Sequence, residues 1–156
     1  MTGKKILSAL YESAKGVLMA MTGLEVKLLK ITPVDPAASS SEYGVFLKVT
    51  GFADCSILMD FDLKTGLALA SRLAGKNFEG TFSEEAKSAL CELGNIVIGN
   101  AMTSLDSTKA AGNVTPPSFT QGRTLDSYMP KAPGVHLISL DVEVGILKIF
   151  VSSRTT

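Results

Sequence analysis

Cysteine, histidine and clustered positive charge are all scarce in this chain, and each shortage removes a class of function. Cys55 and Cys91 are its only thiols, and they fall in different predicted elements. Secreted disulfide scaffolds are smaller and far richer in cysteine, so both are read as reduced, buried, small hydrophobes. His136 is the sole histidine. No zinc-ligand spacing surrounds it, and it reads as a structural residue of a strand. Lysine and arginine together number 15 against 15 acids, and no basic run exceeds two residues. A nucleic-acid surface needs clustered positive charge to displace counterions, so none is expected. There is no glycine-rich phosphate loop. No hydrophobic run approaches the ~18 apolar residues of a membrane span. The opening "MTGKKILSALYESAKGVLMAMTG" has Lys4 and Lys5 ahead of an apolar stretch, as a signal peptide does. Glu12 and Lys15 interrupt that stretch, however, and its apolar residues recur at helical spacing. The expectation is a soluble, cytoplasmic protein with no membrane partner.

What is present is a core. Hydrophobic residues make up 46% of 156, enough for one domain over residues 1–156 that buries about two-thirds of its unfolded surface without staples. Residues 4–21 carry a helix pattern closed by Gly23. Strand-like runs follow at 24–32, 42–51 and 53–62, the first two parted by the loop "PVDPAASSSE", the last two by a tight turn near Gly51. A short helix spans 63–75. Thr81 or Ser83 caps a longer helix over 84–102, with Glu84 and Glu85 in its first turn, where the dipole favours negative charge. From about residue 106 the chain reads as polar and irregular, and Pro116 and Pro117 forbid helix there. Strands at 135–143 and 146–153 close the sequence as a hairpin turning at Gly145. This order predicts an α/β protein with a largely antiparallel sheet and helices lying on it. "SALYESAK" (8–15) and "SALCELGN" (88–95) share Ser, Ala, Leu and Glu at matching places, as if one helix-plus-strands unit were present twice.

The longer helix carries an unusual row. At 100° per residue, Ala86, Leu90, Leu93, Gly94, Val97 and Ala101 form a core stripe. Ser88, Glu92, Asn95 and Gly99 fall opposite. Cys91, Ile96, Ile98 and Met102 flank that row, where a solvated face would use long charged side chains. Two readings stay open. In one, the helix is buried on most sides and its polar groups are satisfied internally. In the other, the row docks into a partner, and Gly99 lets the partner's backbone come close.

"S-x-x-x-E-x-x-N" at Ser88, Glu92 and Asn95, with Pro117 further on, resembles the signature of the CheC, CheX and FliY family of chemotaxis phosphatases. "LGNIVIGNA", "TPPSFTQG" and "GFADCSILMDFDLKTGLALASRLAG" are similar to further segments of that family. The similarity runs over nearly the whole chain and, with its one complete motif, is greatest to the CheX branch.

The resemblance implies a CheC-like fold and hydrolysis of the aspartyl phosphate of a CheY-type response regulator. It implies no cofactor in this chain, because the regulator brings its own Mg²⁺ and lysine. What remains to be supplied is a water held in line with the breaking bond, and a carboxamide can both donate to and accept from it. Asn95 is the candidate, whereas a carboxylate there would repel the phosphoryl oxygens. Glu92 would pair with the regulator's lysine, Ser88 and Cys91 would contact the partner, and Pro117 would shape a nearby loop. Two-site relatives repeat Glu and Asn on the first helix. Here Ser8 and Glu12 are followed by Lys15, which has donors only, so one working site is expected. Single-site relatives imply a homodimer paired through the sheets. The competing possibility is a non-catalytic adaptor of the same fold, docking on a response regulator or a flagellar switch component.

Overall fold

The computed structural model describes residues 3–51, 54–105, 113–129 and 134–153. Among the described residues, three α-helices, α1 (Gly3–Thr22), α2 (Leu63–Ala74) and α3 (Glu84–Leu105), accompany seven strands. These are β1 (Lys27–Val34), β2 (Ser40–Thr50), β3 (Cys55–Phe61), β4 (Asn113–Val114), β5 (Ser118–Thr124), β6 (Val135–Asp141) and β7 (Ile146–Ser153). All pairings are antiparallel, in the order β1-β6-β7-β3-β2, with β4 and β5 both on the outer side of β2.

Local chemistry sets the element ends. Gly23 and Gly75 close α1 and α2 in left-handed conformations, φ 74° and 66°, which cost glycine no Cβ clash. Asp62 caps α2 by accepting from the Thr65 N–H at 2.7 Å. That bond holds its carboxyl below the usual range. The β6–β7 hairpin turns through Glu143, at φ 72°, and Gly145. A Cβ on Gly145 would collide with the Thr65 side chain, so the hairpin tip packs on the start of α2 only because that position is glycine.

Two boundaries depart from the sequence reading. The strand expected over 24–32 begins at Lys27 and runs past Pro33 to Val34. Proline is tolerated there because β1 is an edge strand, where a missing N–H need not break a ladder. The segment read as irregular contains β4 and β5, joined across Pro116 and Pro117. At that break the Thr115 N–H donates to the Lys48 carbonyl and the Lys48 N–H to the Thr115 hydroxyl, each at 2.9 Å. The strand was illegible because β5, "SFTQGRT", has one large apolar residue, Phe119, and so shows no alternation. Residues 106–112 and 130–133 of that segment lie outside the described residues.

The echo between the two helices reflects the whole architecture. Helix α1 followed by β1, β2 and β3 recurs as α3 followed by β5, β6 and β7, with α2 inserted between. Exchanging the two sets leaves the order β1-β6-β7-β3-β2-β5 unchanged. The first strand of each unit pairs with the second strand of the other, β1 with β6 and β5 with β2. Neither unit can therefore complete its sheet alone.

The main core lies between the helices and one face of the sheet, with Cys55, Ile57, Met59 and Phe61 of β3 pointing into it. Leu58 of the same strand points the other way, into a small second cluster with Leu125, Met129, Leu137 and Phe150. Asp60 is nearly buried there. It accepts a hydrogen bond from the Ser41 hydroxyl and stands opposite Lys148 on β7. Loss of water raises the Asp60 pKa, against the lowering effects of Ser41 and Lys148. A carboxyl raised in the fold contributes stability that is complete below the unfolded value of about 4 and is lost as pH rises through the folded value. Asp60→Asn, neutral and of similar shape, should raise the Tm near pH 7, with the gap closing towards pH 4. Melting curves across that range, read by circular dichroism, test this.

Candidate functional site

Helix α3 is fixed from its first residue. The Ser83 hydroxyl accepts from the Ala86 N–H at 3.1 Å, which selects Ser83 over Thr81 as the cap. Glu84 and Glu85 occupy the first turn, and Glu85 pairs with Lys76 at 2.8 Å. Phe82, just ahead of the cap, sits in an aromatic cluster with Tyr43, Phe61 and Phe119, its ring centroids 4.9 to 6.0 Å from theirs. Lys87 lies 5.6 Å over the Phe119 ring. Further along, Gly94 lets the helix backbone settle on β2, since a Cβ there would come within 2.9 Å of Val45. The Ser13 hydroxyl of α1 donates to the Val97 carbonyl at 2.6 Å, tying the two long helices together.

The expected core stripe is buried throughout: Ala86, Leu90, Leu93, Gly94, Val97 and Ala101. Ile98 and Met102 correct the sequence reading. They were placed among the flanks of an uncovered surface, yet both are buried in this chain's own core. Helices α1 and α2 both pack on α3, and two neighbours plus a sheet bury more of a helix than the single stripe that periodicity reveals. Cys91 also differs from expectation, being half-buried where full burial was read. Cys55 is buried, and neither cysteine is in a disulfide.

What remains uncovered is narrow. Ser88, Glu92 and Asn95 are exposed, while Cys91, Ile96 and Gly99 are half-buried beside them. Among the described residues, the side chains of Ser88, Glu92 and Asn95 make no hydrogen bond or ion pair within the chain. Of the two readings left open, internal satisfaction of the row is thus not what the structure adopts. The three side chains spread over about two turns, or roughly 10 Å of helix. A Cβ on Gly99 would meet nothing within 4 Å, so the space above it is open. Burial pushes the Cys91 thiol up, which keeps it protonated and disfavours it as a nucleophile.

Pro117 is half-buried in the break between β4 and β5. Both strands touch α3, but Pro117 stands on the sheet edge and outside the row. His136 is half-buried on β6, opposite Pro33 and Val151. Among the described residues no cluster of three or more His, Cys, Asp or Glu side chains could hold a metal, and no helix is long and apolar enough to cross a membrane.

The sequence reading did not find the grooves flanking α1. One, of about 540 Å³, is lined by Glu12, Lys15, Gly16, Met19, Glu25 and Val26. Another, of about 380 Å³, runs between α1 and α3 past Ser13, Asn100 and Ser104. Periodicity shows which face of a helix is polar, but not where two elements leave a gap.

Similarity to known proteins follows the same residues. The CheY-P phosphatase CheX of Thermotoga maritima is 28% identical over 120 residues, 77% of this chain and 75% of that protein. A chemotaxis protein CheX from Desulfovibrio desulfuricans has the same fold, with a TM-score of 0.82 at 18% identity, over 96% of this chain and 99% of that one. The CheX chain of a CheX–CheY–BeF₃–Mg²⁺ complex from Borrelia burgdorferi matches with a TM-score of 0.76 at 24% identity, over 96% and 97%. The family model described as chemotaxis phosphatase CheX matches residues 43–140, which span β2 through most of β6 and contain the whole of α3. The chain belongs to the CheX family of chemotaxis phosphatases.

Proposed function

We propose that this chain hydrolyses the aspartyl phosphate of a CheY-type response regulator by inserting the Ser88–Glu92–Asn95 face of α3 into the regulator's active site. The observation that carries this reading is the row itself: an amide and a carboxylate one turn apart, exposed, unpaired within the chain, and held on a helix buried on its other sides. Such a row cannot enclose a small substrate, but it can enter a pocket belonging to another protein. The T. maritima relative is named for action on phosphorylated CheY, and the B. burgdorferi relative was crystallised with CheY.

In this mechanism the regulator contributes the phosphoryl group, Mg²⁺ and a lysine, and this chain brings no cofactor. Asn95 accepts from and donates to one water, aligning it behind the phosphorus. The water oxygen forms a bond to phosphorus as the bond to the aspartyl oxygen breaks. The aspartate leaves as carboxylate, and the water's proton passes to the released phosphate or to solvent. Most of the gain is positional, since the acyl phosphate is already activated. Glu92 pairs with the regulator's lysine and fixes the helix in register. Ser88, Cys91 and Gly99 form the surrounding contact, and Pro117 holds the neighbouring sheet edge. The reaction takes place in the cytoplasm, where regulators of this class work.

The proposed assembly is a homodimer paired through the β1 edge. Leu28, Leu29 and Ile31 are 41–53% exposed on that strand, and an uncovered edge with large apolar side chains invites another strand. The opposite edge, β5, carries no comparable group among its described residues.

Asn95→Ala should lower the phosphate release that this chain stimulates from the regulator about 100-fold with the melting curve unchanged; a variant as fast as the parent would sink the mechanism. Glu92→Ala should raise KM as well as lower kcat. Repeated turnover with regulator in excess separates this enzyme from an adaptor, which binds without accelerating release. Gly99→Leu should fold at least as stably as the parent, because leucine favours helix over glycine by roughly 1 kcal/mol and meets open space. Its KM should nonetheless rise at least tenfold as the added side chain holds the partner away; unchanged kinetics would remove Gly99 from the interface. Sedimentation should show a dimer at micromolar concentration, and Leu29→Glu with Ile31→Glu should convert it to monomer.

A further inference from the structure

We infer that Ser13 of α1 is a positioning residue for the reaction on α3, its bond to the Val97 carbonyl fixing the rotation at which Asn95 is presented. This deepens the reading of α3 given above and rests on it.

Serines inside helices commonly bond to a carbonyl of their own preceding turn. Ser71 and Ser104 do so, donating to the Leu67 and Ala101 carbonyls. Ser13 instead reaches a different helix, 84 residues along the chain, with a short bond of 2.6 Å. The acceptor does not depend on it. Val97 lies inside α3, where its carbonyl also accepts from the N–H four residues on. Nor does the internal twofold require the bond. The match of "SALYESAK" with "SALCELGN" sets Ser13 against Leu93, and leucine has no hydroxyl with which to make the reciprocal contact.

The location of the bond gives it leverage over the amide. Gly94 precedes Asn95, and at that level α3 rests on Val45, Leu47 and Met59 with bare backbone. Such a contact is non-directional, whereas a hydrogen bond weakens steeply with angle. Burial of Leu90, Leu93 and Val97 selects the face of α3 that meets the sheet. The Ser13 bond, two residues beyond Asn95 and on the side turned to α1, narrows the angle within that choice. A side chain at the outer radius of a helix, about 5–6 Å from the axis, moves about 1 Å when the helix turns by roughly 10°. In-line attack by a held water does not tolerate a shift of that size. The charge contact of Glu92 does, because it falls off only as the inverse of distance. Loss of the Ser13 bond therefore acts on turnover and spares docking.

The test is a pair of variants matched in shape. Ser13 is half-buried beside the groove of about 380 Å³ between α1 and α3, which leaves room for a methyl group. Ser13→Thr keeps the hydroxyl, and Ser13→Val replaces it with a methyl. Both are assayed by steady-state phosphate release from a phosphorylated CheY-type regulator of the source organism, expressed per folded chain from circular dichroism. Ser13→Val should lower kcat about tenfold with KM within about twofold of the parent, and Ser13→Thr should keep kcat within about twofold. In an Asn95→Ala background, Ser13→Val should cause no further loss, since it acts through the amide. Equal kcat for the two Ser13 variants, a loss confined to KM, or an undiminished loss in the absence of Asn95 would overturn the assignment. Failure of the α3 reading looks different: Asn95→Ala alone would leave release unchanged, whatever stands at position 13.

Discussion

The packing of α3 against the sheet and two other helices is the constraint on which the rest of the structure depends. Leu90, Leu93, Val97, Ile98 and Met102 are all buried, and each side chain of this size contributes about 1.5–3 kcal/mol when removed from water. That sum holds the helix in one rotation about its axis. The polar row can therefore be free of internal partners and still point in a defined direction. Gly94 and Ser13 refine the setting, one by allowing close approach to Val45 and the other by bonding to the Val97 carbonyl. An amide that must align a single water needs that definition, because a displacement of about 1 Å can cost two orders of magnitude in rate.

The interleaved duplication explains why the scaffold is stiff enough for this task. The first strand of each unit, β1 after α1 and β5 after α3, pairs with the second strand of the other, so the sheet closes only when both units are folded. Cross-pairing converts two small units, each with a marginal core, into one sheet with helices on a single face. It also fixes the relation between α1 and α3.

Much of this was legible beforehand. The positions of all three helices, the core stripe of α3 and the order of the long strands follow from periodicity and capping residues, although α3 runs on past the expected 102 to Leu105. Ser83, Gly23 and Gly75 act where their chemistry predicts. The polar row was visible because Ser88, Glu92 and Asn95 interrupt an otherwise apolar helix at intervals that place them on one side. Strand β5 was not visible, since a strand on the edge of a sheet can satisfy one ladder while showing a polar face, and "SFTQGRT" therefore looks like loop. Ile98 and Met102 were misplaced for a related reason. Periodicity locates the most buried line of a helix but not how far neighbouring helices extend burial around it.

The sequence by itself determined which residues are helical, which side of each helix is apolar, and that an amide and a carboxylate would lie one turn apart. These depend on local backbone preference and the 3.6-residue period, which need no partner elements. Only the tertiary structure decided that the row stays open while Ile98 and Met102 beside it are buried, and that Pro116 and Pro117 sit in a sheet edge. Those outcomes depend on how strands distant in the chain pair and how helices then share the sheet, and no local preference encodes such distances.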